Sequence, residues 1–434
     1  MTQADAGNRP LLDDRKTVWS WAIYDWANSA FATTVMAGFF PLFFKAYWAD
    51  PSDPVGSTFW LGVANSAASV VVAALAPLLG AIADRGALKK RFLLFFAFLG
   101  AIMTGGLWMV AAGQWQLAVL FYVTGTIGFM GGNIFYDALL VGVASEAKRD
   151  RVSSLGYALG YVGGGLLFAV NVLMYLKPEL FGIADGASAI KLSFLSVAAW
   201  WALFSLPLLL FVPEPQNPDT VPARRAIREG FAELVATARA ARHLRVVGLF
   251  LLAYWLYIDG VDTIVRMAVD YGMSIGLDSS ALITALLLVQ FIAFPATLAY
   301  AWVASKIGVK QAVLVAVGAY SVITVFAFFM ASERDFYVLA ACVGLFQGGI
   351  QALSRSLYGR IIPASKSAAF FGLYNMLGKF AAVIGPILLG TVAKLSGSTR
   401  VGILSIIALF IVGGYLLTRV DIEAGSRLAK EELQ

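Results

Sequence analysis

The chain has 434 residues, of which 60% are hydrophobic and 13% charged, with a formal net charge of +6. Soluble domains carry about 25% charged residues, so this composition excludes an ordinary soluble protein and indicates a polytopic α-helical membrane protein. The single cysteine, Cys342, excludes an internal disulfide and a cysteine-based metal site. We interpret the excess of basic residues as a topology signal and do not expect a nucleic-acid partner.

Twelve apolar segments follow one another along the chain, and each is long enough to form a transmembrane helix. The polar residues before the first segment lack the pattern of a cleavable signal peptide, so we expect the first helix to act as the insertion signal. The segments begin near Trp19, Thr58, Phe92, Trp115, Ser153, Ile190, Val246, Ala281, Gln311, Phe336, Ala368 and Val401.

The lysines and arginines between these segments are distributed unevenly. Most of them lie at the termini and in the even-numbered loops, so the positive-inside rule predicts that both termini are cytoplasmic. The basic residues on the other side are Lys45, Lys177, Lys191, Arg334, Lys394 and Arg400.

One long connection divides the segments into two groups of six. It begins at Pro213 and becomes basic and amphipathic from Arg224 to Arg245, which predicts an interfacial helix, with His243 as a snorkelling residue at its end. The predicted organisation is an N-terminal tail (1–16), a six-helix bundle (17–212), a linker with an amphipathic helix (213–243), a second six-helix bundle (244–420) and a C-terminal tail (421–434).

Both halves open with a segment that carries acidic residues, Asp25 in the first and Asp259 in the second. A carboxylate near the bilayer centre costs roughly 2.5–3.5 kcal/mol, so it normally faces a partner or a watery cavity. The fourth and tenth segments also match, because in each the first glycine of a pair lies six residues before a polar residue, Asp137 in one and Ser354, next to Arg355, in the other. Such repeats are typical of transporters in which two bundles rock about a midplane site.

Two stretches of sequence resemble known families. The loop from Gly80 to Arg91, which contains Asp84-Arg85, is similar to the loop 2–3 signature of the major facilitator superfamily. The run Tyr24-Asp-Trp-Ala-Asn-Ser-Ala-Phe31 resembles the first-helix signature of the Atg22-like vacuole effluxer group, also called the UMF1 family, and the run 349–356 resembles its C-terminal counterpart.

These resemblances imply an all-α polytopic membrane protein with twelve transmembrane helices in two pseudo-symmetric six-helix bundles. They imply a secondary transporter related to proteins that release amino acids from the fungal vacuole. They also imply that Asp84, Arg85 and Asp137 act in gating at the cytoplasmic side. We expect a bacterial member, located in the inner membrane.

The seventh segment holds Asp259, Asp262, Arg266 and Asp270 on one helical face, with Arg266 four residues from two of the acids. This pattern fits a self-neutralising stripe, a titrating Asp259 or direct contact with a substrate, and the sequence leaves all three open. The expected partner of Asp25 is Lys379 or a substrate ammonium group.

Lys379, with Tyr374 and Asn375 on the preceding turn, could hold a substrate carboxylate, and a plain salt bridge between the bundles fits equally well. The candidate substrate and proton pathway consists of Tyr24, Asp25, Asn28, Asn133, Asp259, Asp262, Arg266, Gln347, Gln351, Tyr374, Asn375 and Lys379. The candidate gating residues are Asp84, Arg85, Asp137 and Arg355.

The function expected from the sequence is secondary active transport of a small polar solute, an amino acid or a similar zwitterion, by proton-coupled efflux. No cofactor is expected and the P-loop pattern is absent, so the proton gradient is the predicted energy source. An exporter of drugs or lipophilic cations and a non-transporting receptor are the alternatives, whereas an intramembrane aspartyl protease lacks its G-x-G-D motif. The predicted partners are a small-molecule substrate and the lipid bilayer, and we expect the protein to function as a monomer.

Overall fold

The computed structural model describes residues 12–49, 54–214, 221, 225, 245–274, 277 and 279–431. Some side chains inside the helices are outside this description, among them those of Arg266, Asp270 and Lys379. The predicted amphipathic helix of the linker and His243 also lie outside the described residues.

The described residues form twelve successive main helices, the last of them in two parts, and a short C-terminal helix, and they include no β-strand. In chain order these are α1 (Arg15–Ala30), α2 (Pro54–Gly86), α3 (Lys89–Gly106), α4 (Trp115–Val143), α5 (Arg149–Leu176), α6 (Gly186–Phe211), α7 (Arg245–Ser274), α8 (Ser279–Ile307), α9 (Val309–Phe329), α10 (Glu333–Ile361), α11 (Ser367–Ser396), α12 (Thr399–Ser405 and Ile407–Thr418) and α13 (Ile422–Glu431).

Each of α1–α12 coincides with one of the twelve predicted segments. Within the described part of the chain, nine helices are long and apolar enough to cross a membrane, and α2 makes a tenth if its two bent parts form one span. The prediction of an all-α polytopic membrane protein is therefore confirmed.

Side chains at several helix starts satisfy backbone N–H groups that have no partner inside the helix. Asp14 accepts a hydrogen bond from the N–H of Thr17 (2.8 Å) before α1, and Asp185 does the same for the first turn of α6. Ser332 and Asp335 form a capping box at the start of α10. These caps fix where the helices begin on both sides of the bundle.

The helix packing repeats itself with an offset of six helices. In the first half α1 packs against α5 and α6, and α3 packs against α4 and α6; in the second half α7 packs against α11 and α12, and α9 packs against α10 and α12. The contacts between the halves follow the same symmetry, since α2 packs against α11 and α5 packs against α8. The two halves are therefore pseudo-symmetric, as predicted.

Both described ends of the chain lie on one face of the helix bundle, next to the loop between α4 and α5. The carboxylate of Asp13 accepts from the N–H of Ser145 (3.0 Å), and the hydroxyl of Ser426 donates to Glu146 (3.4 Å). We call the surface formed by Asp13, loop 144–148, loop 362–366 and α13 the terminal face. That this face is cytoplasmic stays a prediction from the distribution of basic residues.

The region predicted only as a C-terminal tail contains the helix α13, which packs against the end of α10 and the start of α7. Its Gly425 approaches Ile361 and Val246 so closely that an added Cβ would lie 2.9 Å from a side-chain carbon of each. The contact with Glu146 described above links α13 to the first half as well.

Candidate functional site

The terminal face is closed by polar contacts between the halves, and the first set involves the loop between α2 and α3. The carboxylate of Asp84 accepts from the backbone N–H groups of Ala368 (3.1 Å) and Ala369 (2.8 Å) in the first turn of α11, where the helix dipole favours negative charge. Lys89 forms an ion pair with Asp84 (2.8 Å) and donates to the hydroxyl of Ser367 (2.8 Å). Asp84, near the end of α2, therefore holds the start of a helix from the other half.

A second set of contacts joins the start of α5 to the end of α10. Arg149 donates to the carbonyl of Gly359 (2.7 Å), and Asp150 pairs with Arg360 and accepts from the hydroxyl of Ser356. None of these residues was among the candidate gating residues. The ion pair between Asp150 of α5 and Arg360 of α10 could have been anticipated only by knowing that α10 ends beside the start of α5.

Between these sets, Arg355 of α10 reaches into the first half and is 2% exposed. Its Nε and Nη2 donate to the hydroxyl (2.9 Å) and the carbonyl (2.8 Å) of Ser153. Its Nη1 donates to Asp137 (3.0 Å) and lies 3.8 Å from a carboxylate oxygen of Asp25. A buried guanidinium is tolerated only when paired and hydrogen-bonded, and here both conditions are met.

Aromatic rings surround the same guanidinium. The rings of Trp21, Tyr136 and Tyr157 have their centroids 5.1, 5.3 and 4.2 Å from the guanidinium carbon of Arg355, which is cation–π distance. The hydroxyl of Tyr136 also donates to Asp25 (3.2 Å). We call Arg355, Asp25, Asp137, Ser153 and these three rings the arginine cluster. It joins α1, α4 and α5 of the first half to α10 of the second.

The arginine cluster borders a cavity of about 330 Å³, at the small end of the range for small-molecule sites. Both halves of the chain contribute to its walls. The polar residues that line it are Asp25, Asn28, Ser29, Thr33, Asn133, Tyr136, Asp137, Tyr157, Tyr161, Tyr254, Asp262, Gln290, Gln347, Gln351, Arg355, Tyr374 and Asn375.

One wall of the cavity is a distorted part of the first helix. Beyond Ala30 the chain continues as a π-helix, Phe31–Phe39, in which the N–H of Phe40 reaches the carbonyl of Val35. Ala32, Thr33 and Ala37 of this segment line the cavity. π-Helical segments are rare and occur frequently at functional sites, so this distortion agrees with the position of the cavity.

Most of the predicted pathway residues meet in this cavity. From the first half these are Asp25, Asn28 and Asn133, and the amide of Asn28 donates to that of Asn133 (2.6 Å). From the second half they are Asp262, Gln347, Gln351, Tyr374 and Asn375, whose amide donates to Asp137 (2.9 Å). Arg355 and Asp137, predicted as gating residues, also line the cavity.

Two predicted pathway residues lie elsewhere. Asp259 is fully buried, and both of its carboxylate oxygens accept from the backbone N–H of Gly385 (3.0 and 3.1 Å), next to the proline inside α11. Tyr24 is also fully buried; it packs against Tyr136 with the ring centroids 5.1 Å apart, and its hydroxyl has no hydrogen-bond partner among the described residues. The side chains of Arg266 and Lys379 are outside the description.

The structure describes partners in the other half of the chain for three of the acids. The expected partner of Asp25 was Lys379, whose side chain lies outside the described residues, or a substrate ammonium group. The partners that the structure describes are Tyr136 and Arg355. Asp84, Arg85 and Asp137 were expected to act in gating, and this role stays a prediction. In the second half Asp84 contacts the start of α11 and Asp137 the side chain of Arg355.

Sequence reasoning missed Gln290 and four of the five tyrosines of the cavity, since only Tyr374 was among the candidates. Tyr157 and Tyr161 lie one turn apart on α5, on the side that packs against α1 through Gly156 and Gly160. The two tyrosines at the same spacing were the available signal that this face also borders a cavity.

The comparisons with known proteins agree with this architecture. A family model described as "Vacuole effluxer Atg22 like" matches residues 57–430. The MFS-type transporter YxiO of Bacillus subtilis is 37% identical to this chain, over 95% of the chain and 96% of its own length. Autophagy-related protein 22 of Yarrowia lipolytica is 24% identical, over 80% of the chain and 73% of its own length.

Solved structures of low sequence identity share the fold. The human organic anion transporter MFSD10 has a TM-score of 0.69 at 16% identity, and the alignment covers 93% of this chain and 99% of that protein. The proton:xylose symporter XylE has a TM-score of 0.68 at 15% identity, with 93% and 94% covered. The chain therefore belongs to the Atg22-like vacuole effluxer family and is a multi-pass transporter of the major facilitator superfamily, not an enzyme.

Proposed function

We propose that this transporter exports a small zwitterion, most simply an amino acid, by alternating access coupled to protons. The observation that carries the proposal is the position of the arginine cluster. It joins the two halves at the border of a cavity to which both halves contribute side chains. A solute or proton that changes the charge balance there also changes the contact that holds the halves together.

The chemistry of the cavity supports a substrate that carries both charges. The acids Asp25, Asp137 and Asp262 and the cation Arg355 line it, together with neutral amides. An ammonium group is recognised by carboxylates, and a carboxylate by cationic or N–H donors. Lys379 on α11 remains our proposed partner for the substrate carboxylate.

Proton coupling is best assigned to Asp25. It lines the cavity, and it contacts Arg355 from one side while accepting the hydroxyl hydrogen of Tyr136 from the other. Protonation would cancel its attraction to the guanidinium and weaken the closed arrangement. Asp259 is a weaker candidate because it is enclosed by α11 and bonded to its backbone.

The closed terminal face corresponds to one state of the proposed cycle. If that face is cytoplasmic, as the basic residues predict, the described arrangement is closed to the cytoplasm. Export then requires the contacts of Asp84, Asp150 and Arg355 with the other half to break and re-form in each cycle. The expected motion is rocking of residues 17–212 against 244–420.

A second candidate function is export of a lipophilic cation, and one observation favours it. Five tyrosines line the cavity beside the acids, and aromatic rings with carboxylates also recognise organic cations. These tyrosines are Tyr136, Tyr157, Tyr161, Tyr254 and Tyr374.

The test is flux in proteoliposomes with an imposed pH gradient, using labelled amino acids and a labelled lipophilic cation in parallel. We expect gradient-driven movement of an amino acid by the wild type. The variant Asp25→Asn should still exchange the amino acid but should no longer respond to the gradient. The matched variant Asp259→Asn should keep the response. Movement of the cation alone would replace the zwitterion proposal with the second candidate, and an unchanged gradient response in Asp25→Asn would refute the coupling assignment.

A further inference from the structure

Three glutamine side chains line the cavity in addition to its charged groups. Gln347 and Gln351 lie one turn apart on α10, and Gln290 lies on α8 opposite Gly165 of α5. We call Gln290, Gln347 and Gln351 the amide wall. Neutral amides both donate and accept hydrogen bonds, so this region suits a polar group without charge.

The members of the amide wall differ in their hydrogen bonding. The hydroxyl of Tyr161 donates to the carbonyl oxygen of Gln351 (3.1 Å). The corresponding oxygen of Gln347 is buried and has no hydrogen-bond partner among the described residues. A buried polar atom without a partner is destabilising, and in a cavity wall it is the group that a bound ligand can satisfy. Rotation of the terminal amide exchanges its oxygen and nitrogen, so Gln347 can offer the cavity either a donor or an acceptor.

The amide wall lies at a defined distance from the arginine cluster. With a rise of 1.5 Å per residue, Gln351 is about 6 Å and Gln347 about 12 Å along α10 from Arg355. A zwitterion whose ammonium group rests beside Asp25 would therefore extend its side chain along α10 past Gln351 towards Gln347. An aliphatic side chain placed there would leave the amides without partners, whereas a carboxamide would supply both a donor and an acceptor.

We propose that Gln347, supported by Gln290 and Gln351, recognises a neutral hydrogen-bonding group on the substrate, so that the transported zwitterion carries a carboxamide side chain, not an aliphatic one. This inference rests on the proposed transport of a zwitterion and names the chemistry of its side chain. Sites built to hydrogen-bond a substrate group reject analogues that lack the group far more strongly than apolar pockets discriminate by size.

The test compares L-glutamine with L-methionine, which has a side chain of similar length without an amide. Binding of each to the purified full-length protein is measured by ligand-induced thermal stabilisation over a concentration series. We expect the wild type to bind glutamine at least about tenfold more tightly than methionine. In Gln347→Met the preference should disappear through weaker glutamine binding, with methionine binding retained. The same substitution at Gln311, an exposed residue at the start of α9, is the matched control and should behave as the wild type.

The outcomes separate the two proposals. Equal binding of the two amino acids by the wild type would overturn the inference about the amide wall while leaving the zwitterion proposal intact. The same conclusion follows if Gln347→Met retains the preference for glutamine. Binding of neither amino acid, nor of any other zwitterion in the flux assay, would overturn the proposed function and this inference together. The comparison of ligands on the wild type does not depend on the folding of any variant.

Discussion

Arg355 is the buried cation at which the two halves meet, and its replacement by lysine is the most direct perturbation of the closed state. Lysine keeps the positive charge but lacks the planar fork of donors. It cannot reproduce the two bonds to Ser153 and the bond to Asp137 at the same time. It also loses the flat face that packs against the ring of Tyr157.

The expected size of the effect follows from these contacts. A hydrogen bond to a charged group contributes about 1.5–3 kcal/mol, so the loss of one or two of them destabilises the closed terminal face by about 1.5–6 kcal/mol. A shift of about 5.5 kcal/mol moves a two-state equilibrium from 99:1 to 1:99. The Arg355→Lys protein should therefore open its terminal face in a measurable fraction of molecules.

The assay is the distance between spin labels on the two halves, measured by pulsed electron paramagnetic resonance. Ala147 in the loop after α4 and Ala364 in the loop after α10 are both exposed, so cysteines there can carry labels once Cys342 is replaced by alanine. We expect one short distance in the parent protein and an additional longer distance in the Arg355→Lys variant. Arg419→Lys is the matched control, because the guanidinium of Arg419 contacts only Tyr415 of its own helix among the described hydrogen bonds.

One result would refute the reasoning. If the Arg355→Lys protein keeps its thermal stability and shows the same single distance as the parent, the arginine cluster does not hold the terminal face closed. A lower melting temperature with an unchanged distance would mean that the cluster stabilises the fold and does not control access.

Two further predictions concern stability. Gly160 of α5 lies so close to α1 that a Cβ would be 2.6 Å from the hydroxyl oxygen of Ser29, so Gly160→Ala should lower the stability by about 1–3 kcal/mol, as measured by thermal unfolding in detergent. The control Gly390→Ala has open space around it and should leave the melting temperature unchanged or slightly raised; equal effects of the two would contradict the close packing of α1 on α5. Glu214, which follows α6, accepts from the N–H of Lys90 (2.9 Å), and burial raises its pKa above the ordinary value of 4.5. The folded state then binds more protons than the unfolded state, so stability should fall as the pH rises from 4.5 through this raised pKa. Glu214→Gln should remove this slope, and a slope equal to that of the wild type would show that the side chain is not protonated in this window.

Much of the fold was predictable because the signals are local. Each of the twelve helices coincides with an apolar segment, since hydrocarbon imposes the same length and composition on every span. The duplicated pattern of acids and glycine pairs predicted two related halves. The packing of α1 with α5 and of α7 with α11 shows that the same arrangement occurs in both.

The surroundings of individual acids were less predictable. Asp259 and Asp262 lie three residues apart on α7, which separates them by only about 60° around the helix axis. Nevertheless Asp262 lines the cavity, whereas Asp259 bonds to the backbone of α11 beside its proline. The sequence placed both on one face, and the position of the neighbouring helix decided which of them faces the cavity.

By itself, the sequence determined the class of the protein, its helices, its internal duplication and the residue types that a polar pathway requires. These properties depend on hydropathy, helical periodicity and motifs, which are read over a few turns of chain. The tertiary structure alone decided that Arg355 meets Asp25, Asp137 and Ser153, and that three glutamines line the same cavity. These groups are far apart along the chain, so their meeting depends on how twelve helices rotate and pack. Hydropathy constrains that rotation only weakly, because lipid and protein interior are similarly apolar.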